Sequence, residues 1–394
     1  MDLRLLVLAL GTFAIGTGSF VFAGLLGDVA GDLSVSVGTA GQLITVYAIV
    51  YAVGSPVLVT VTGAVARRRL LVLSLAVFAG ANVAAVVLSS FGPLLASRIV
   101  AACAAAVFTP TTAVVAASLV TPEKRGRALA TVTGGLTIAF AFGIPLGTLV
   151  GEYFGWRAAF VLVGVLGAIA VAGIAALLPV IENPPPVSLR DRMLAVEQPA
   201  VVAALGLTAI GLGSGFVVFT YVDPLLGDLT GFGGRGISGM LLLFGLAAIA
   251  GNALGGYGAD RWGYGRSMVV IFVVVALSLL SFSLLTPVAG SLPAVVGAGV
   301  ALVTWSVAGW AITPFQQYRL IELAPHTQNI VLSLNASAIY LGQGVGAGIG
   351  ALVILYGSFA SLGWVAALCT AVGFVVLLSG ARSHGGGPDE EHPG

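Results

Sequence analysis

Charge is what this sequence has least of. Only 8% of its 394 residues are Asp, Glu, Lys or Arg, against about a quarter in soluble domains. With 58% hydrophobic residues and a mean hydropathy of +1.10, a soluble globular fold is excluded. The net charge of +1 provides no electrostatic grip on nucleic acid. Cysteine is almost absent: Cys103 and Cys369 lie inside apolar runs, which excludes a disulfide framework and metal-ligand spacing. The three histidines, His326, His384 and His392, fall in loop or tail positions. Without an intramembrane His/Asp/Glu cluster there is no nucleophile–base or metal set for a membrane enzyme. No phosphate-binding loop is present, so nucleotide hydrolysis is not the energy source and no cofactor is implied.

Long apolar runs are what the chain has instead. A membrane span needs roughly 20 apolar residues. Windows of that kind run over about 3–26, 39–65, 70–90, 93–120, 128–151, 158–180, 199–222, 236–258, 267–287, 292–315, 329–353 and 359–381, twelve in all. The first has one basic flank, Arg4, and exceeds the roughly 7–15 residues of a signal-peptide core, so it reads as an uncleaved span. Charge tests this count. Alternate loops hold Arg4, Arg67, Arg68, Arg69, Lys124, Arg125, Arg127, Arg190, Arg192, Arg261, Arg266, Arg319 and Arg382, thirteen basic residues against Arg157 and Arg235 on the other side. That bias predicts that both termini are cytoplasmic. Residues 181–198, with three consecutive prolines and several charges, read as a linker between six-helix halves, 1–180 and 199–382. The tail 383–394 reads as disordered.

Small residues recur every fourth position in two distant spans: Gly135, Ala139, Gly143, Gly147, Gly151, and again Ala338, Gly342, Gly346, Gly350. On a helix that spacing makes one smooth face for close approach. A third ladder, Ala247, Gly251, Gly255, Ala259, lies in the eighth span. The repetition predicts duplicated halves that rock past each other on these faces around a central site.

Several phrases carry a resemblance. Gly256-Tyr257-Gly258-Ala259-Asp260-Arg261-Trp262-Gly263 matches the cytoplasmic loop signature of the major facilitator superfamily. Gly134, Gly143, Pro145, Gly147 and Gly151 in the fifth span resemble a motif associated with exporters, with Ile144 standing where that motif has glycine before the proline. GTGSFVFAGLLGDVAGDL, RGRALA, GWRAAF and NASAIYLGQGVGAGIG resemble the drug:proton antiporter family in its chloramphenicol-resistance and sugar-efflux branch. The resemblance implies an all-α fold of twelve transmembrane helices in two pseudo-symmetric six-helix bundles. It also implies export of a small apolar or neutral compound in exchange for protons, in a prokaryotic plasma membrane, with no second subunit required. That branch commonly carries a glutamate before the phenylalanine of the first span. Here Ser19 precedes Phe20, which leaves an uncoupled facilitator of the same fold as the competing reading. A non-transporting receptor or structural role is the third.

Arg98 is the only charge well inside a span; such a charge should face protein and be paired. The resemblance also places the superfamily's arginine of the fourth span here. Asp28, at the outer end of the first span, is its expected partner, the alternative being that Asp28 caps the following turn and Arg98 bonds backbone carbonyls; Asp223 is a second outer acid, available for proton coupling or as a cap of its loop. Helical projection gives the expected cavity wall: Thr12, Ser19 and Phe22; Tyr47 and Tyr51; Arg98, Ala105, Thr109 and Thr112; Phe216 and Phe219; Trp305 and Trp310; Asn335, Tyr340 and Gln343. Neutral hydrogen-bonding groups in an apolar wall suit a neutral amphiphile better than an anion. Gln316, Gln317 and Tyr318 read either as a cytoplasmic gate or as a helix end.

Overall fold

The computed structural model describes residues 2–121, 124–179 and 198–382. Among these it contains twelve helices long and apolar enough to cross a membrane, and no strand. They are α1 (Leu3–Gly24), α2 (Val37–Ala64), α3 (Arg67–Ala85), α4 (Phe91–Ser118), α5 (Arg127–Phe154), α6 (Trp156–Leu177), α7 (Pro199–Phe219), α8 (Gly234–Ala259), α9 (Tyr264–Leu284), α10 (Leu292–Leu323), α11 (Ile330–Tyr356) and α12 (Phe359–Leu378). Buried polar backbone in lipid has to be satisfied within the segment, which is why every span is helical. The expected linker and tail lie outside the described residues.

The halves α1–α6 and α7–α12 repeat one plan. Ala-Ile-Gly-x-Gly-Ser occurs at 14–19 in α1 and at 209–214 in α7, and Leu-Leu-Gly-Asp at 25–28 and 225–228. Each of these helices ends at the face opposite the chain termini and is followed by a short helix, Leu26–Asp32 in one half and Val222–Thr230 in the other.

The glycine ladders are not where the halves meet. Gly135 of α5 approaches Ala9 and Thr12 of α1, Ala139 lies against Gly16, Gly143 against Thr17, Gly147 against Val21 and Gly151 against Leu25. Gly342, Gly346 and Gly350 of α11 press in the same way on Ala209, Gly213 and Val217 of α7, and Gly251 and Gly255 of α8 on Val307 and Ala311 of α10. Each ladder therefore locks two helices of one half at backbone distance. This corrects the expectation of sliding ladders: a smooth face reveals close packing but not which neighbour fills it.

The contact between halves uses other glycines, on α2–α11 and α5–α8. Gly344 faces Ile49 and Thr45, Gly38 faces Ala351, Gly41 meets the Tyr221 ring, and Gly245 sits on the backbone of Phe140 and Ala141. Nearer the far face, Leu241 of α8 covers Gly24, Glu152 covers Gly234, and Arg235 lies over the Tyr153 ring at 4.8 Å. The halves are closed at the face opposite the termini. Toward the termini α2 loses its cover, with Val53, Val57 and Val61 exposed by 61%, 45% and 72%.

One helix is irregular at its middle. In α5, residues Ala139–Gly143 form a π-helical turn, and the Ile144 N–H donates to the Ala139 carbonyl. Pro145, next in line, has no N–H to continue the α-pattern, so the wider turn absorbs the missing bond.

Candidate functional site

Arg98 is 1% exposed and is held without any acid. Its Nη2 donates to the Gly18 carbonyl at 2.8 Å, just before α1 tightens into a 3-10 turn at Val21–Gly24. The guanidinium lies over the Tyr47 ring at 4.4 Å and the Phe22 ring at 4.8 Å. Two π faces and one carbonyl replace the carboxylate; desolvated cation–π contacts of this kind contribute about 2 kcal/mol or more each. The expected Asp28–Arg98 pair is not formed. Asp28 lies beyond the end of α1 at the far face, in the short helix Leu26–Asp32, and the carboxylate beside it is Glu152.

The Tyr47 hydroxyl hydrogen-bonds Ser19 at 2.8 Å, and Ser19 is also bonded to the Ile15 carbonyl at 2.7 Å. Tyr340 of α11 also reaches Ser19 and stacks on Tyr51 of α2, ring centroids 3.7 Å apart. Thr109, its hydroxyl buried, lies beside Tyr51. Ser19, Tyr47, Tyr51, Tyr340 and Thr109 thus come together across the seam between halves. Phe22 and Thr12 do not join them. Phe22 packs on Phe160 at 4.7 Å and on Arg98 inside its own half, and Thr12 donates to the Val132 carbonyl of α5 at 2.7 Å.

The centre of the molecule is aromatic. Phe140, carried by the π turn of α5, touches Phe20 at 4.5 Å, Trp310 at 4.6 Å, Phe219 at 5.2 Å and Phe244 at 6.1 Å. Phe216, Phe219, Phe244 and Trp305 continue the cluster through the second half. Rings of the first half are inserted among rings of the second, so this packing must be undone when the halves part. Sequence reasoning missed Phe140 and Phe244. Phe140 lies between ladder residues and reads as filler, and only the π turn rotates it onto the seam.

Four amides are buried among the described residues, and they differ. Asn82 Nδ2 donates to the Phe78 carbonyl of its own helix at 2.7 Å, and its Oδ1 has no partner. Asn335 Oδ1 accepts from the Thr208 hydroxyl at 2.9 Å, tying α11 to α7. Gln316 accepts from the Tyr264 hydroxyl at 2.7 Å and donates to the Ala204 carbonyl at 2.9 Å, tying α9, α10 and α7. Both are internal struts of the second half. Gln343, 0% exposed, has no partner at either amide atom.

At the far face Asp28, Glu152, Asp223 and Asp228 line a cavity of about 370 Å³ between the halves. The Gly27 N–H of the first half donates to Asp223 Oδ2 of the second at 3.2 Å. Burial pushes the Asp223 carboxyl up to about 6; the Gly27 bond pulls the other way, and Asp28 and Glu152 add to the rise. Asp28 is raised as well, by partial burial first and Glu152 second.

The motif residues are placed as follows. Gly143, Gly147 and Gly151 face α1, Pro145 is buried, and no side chain or backbone crowds Gly134. In the loop after α8, Arg261 bonds the Tyr257 hydroxyl at 2.6 Å and lies over its ring. Gly263 turns the chain at φ 74°, and Gly256 is uncrowded. The Asp260 side chain is outside the described residues.

Comparison with known proteins bears on this geometry. The Major Facilitator Superfamily pattern matches residues 8–337. Two relatives from Bacillus subtilis (strain 168) align along nearly the whole chain. The uncharacterized MFS-type transporter YbcL is 34% identical over 375 residues, 95% of this chain and 95% of its own. The uncharacterized MFS-type transporter YtbD is 31% identical over 384 residues, 96% and 95%. Among solved structures, the partially occluded inward-open xylose transporter XylE from E. coli superposes with a TM-score of 0.73 at 12% identity, covering 96% of this chain and 98% of its own. Twelve spans, two repeated halves and a family pattern over most of the length agree, and the chain belongs to the major facilitator superfamily of multi-pass membrane transporters.

Proposed function

We propose that this transporter exports a small, mostly apolar or neutral compound, drug-like or a sugar, by alternating access and in exchange for protons. The observation that carries the reading is the centre itself: rings from both halves around neutral hydroxyls, with the buried guanidinium of Arg98 covered by the Tyr47 and Phe22 rings and bonded to the Gly18 carbonyl, its Nε unpartnered. A strongly anionic solute would have to displace those rings to reach the cation. The exporter-like glycines and Pro145 of α5, and the local resemblance to the drug:proton antiporter family, support the outward direction. Arginine and lysine crowded at the termini face support cytoplasmic termini in a prokaryotic plasma membrane, which makes the closed far face the release side. Asp223 and Asp28 are the acids we assign to proton exchange.

One observation favours an uncoupled facilitator instead. Ser19 stands where the branch has an acid, and among the described residues the only buried charged side chains are Arg67 and Arg98. Proteoliposomes separate the two. An acid-inside pH gradient should concentrate neutral aromatic antibiotics such as chloramphenicol inside vesicles carrying the inverted protein. Equilibration without accumulation selects the facilitator, and accumulation of anions alone overturns the substrate class.

A further inference from the structure

Among the described residues, Gln343 is the one buried amide with neither of its amide atoms hydrogen-bonded. Its direction follows from its neighbours. Gly342 packs on Ala209 of α7 and Gly344 on Ile49 and Thr45 of α2. At about 100° per residue, Gln343 points between those two contacts, into the seam where the halves meet. Leu341 and Val345, on the opposite side of α11, are 44% and 50% exposed. One turn toward the termini, Tyr340 stacks on Tyr51; one turn toward the far face, the Tyr221 hydroxyl donates to the Ala347 carbonyl at 3.0 Å. The amide therefore sits at the closed end of the pathway, between an aromatic stack and the far-face closure.

Both of its atoms, Nε2 and Oε1, are buried without a hydrogen-bond partner. Asn335 and Gln316, on α11 and α10 of the same half, are bonded to neighbouring helices. An amide held dry and unpaired is unfavourable, and a ligand carrying the complementary pair removes that penalty. We propose that Gln343 is the residue that reads the substrate, and that the substrate is a neutral, ring-bearing molecule presenting a hydrogen-bond donor and an acceptor side by side, as a carboxamide or lactam does. A carboxylate would satisfy Nε2 and leave Oε1 unpaired; a quaternary cation would satisfy neither. The flanking tyrosines supply the stacking surface for the ring. This rests on the reading of the protein as a carrier of neutral compounds and narrows it.

The test uses the purified full-length protein and two compounds of matched shape, 2-naphthamide and 2-isopropenylnaphthalene, with affinity read from ligand-dependent thermal shifts. Wild type should bind the amide more tightly than the hydrocarbon. Gln343→Met, which keeps length and removes donor and acceptor, should weaken the amide about 10- to 100-fold, in line with the loss of matched hydrogen bonds in a buried site. Hydrocarbon binding should be unchanged or tighter, and the unliganded variant should melt no lower than wild type. Equal affinities in wild type, an unchanged amide affinity in the variant, binding of neither compound, or a lower melting temperature of the unliganded variant would each overturn the proposal. Transport in proteoliposomes separates the two levels. Discrimination that depends on Gln343 without net transport refutes the carrier reading alone. Gradient-driven transport of both compounds without discrimination refutes the role of Gln343 alone.

Discussion

Gly245 of α8 rests on the backbone of Phe140 and Ala141 of α5, at a crossing between the halves. A methyl group there would overlap the Ala141 backbone, so the two helices must separate. Overpacking of this kind costs about 1–3 kcal/mol. The cost falls on the far-closed arrangement, because that is where α5 and α8 touch. At 1.4 kcal/mol per factor of ten, Gly245→Ala should shift the balance toward far-open by roughly 5- to 150-fold. Gly342 makes an equally close approach, to Ala209 of α7, but inside one half. Gly342→Ala should therefore strain both arrangements alike and lower stability without moving the balance. The assay is thiol labelling of Leu241→Cys, which is 1% exposed beside Gly24, with Cys103 and Cys369 replaced by serine. Gly245→Ala should speed labelling within the predicted range while the melting temperature changes little. Gly342→Ala should do the reverse. If both variants lose stability equally and neither alters labelling, the division between locking and crossing glycines is wrong.

Three further outcomes follow from the geometry. Asp223 ionises at about 6 in the closed arrangement, above its ordinary range, so its charge opposes closure above that pH and the opposition fades as pH falls toward 4. Labelling of Leu241→Cys, divided by the rate of a free thiol at the same pH because the thiolate is the reacting form, should slow between pH 7 and pH 5, and Asp223→Asn should remove that residual slope; a residual slope that survives the substitution would exonerate Asp223. Arg98→Lys retains the charge but not the planar group lying over Tyr47 and Phe22, and should cut transport by more than tenfold, as measured by initial rates in vesicles; a normal rate would remove the π contacts from the account. Thr208→Val breaks the strut to Asn335 and should lower stability by about 1–3 kcal/mol without altering which compounds bind, as checked by thermal unfolding and competition.

Much of the architecture was written in composition and spacing. Twelve apolar runs with basic residues concentrated in alternate loops leave little choice of topology, because lipid penalises every other arrangement of backbone. The meeting of Ser19, Tyr47, Tyr51 and Tyr340 was legible because a period of 3.6 residues projects correctly along regular helices. The failures have one cause. A helical projection gives the face of a side chain but not the helix opposite it. The ladders thus read as the seam between halves when they are seals within them, and Phe22 and Thr12 read as cavity wall. For Arg98, charge complementarity favoured Asp28 over the alternative of backbone carbonyls; the carbonyl alternative is the one found, at Gly18, and the two ring faces were not visible in sequence. The repeated Ala-Ile-Gly-x-Gly-Ser and Leu-Leu-Gly-Asp segments were the overlooked signal: aligned, they mark α1 and α7, with the short helices after them, as equivalent elements.

The aromatic cluster at the centre has an optical consequence. Trp310 stands edge-on to Phe140 of the opposite half at 4.6 Å, and Trp305 packs on Phe244 at 4.9 Å. Trp305 is buried among rings of its own half, whereas Trp310, half-buried, has a ring of the opposite half as its neighbour. Parting the halves removes Phe140 from the Trp310 indole and shifts its emission, so the molecule carries its own spectroscopic gauge of each cycle without an attached dye.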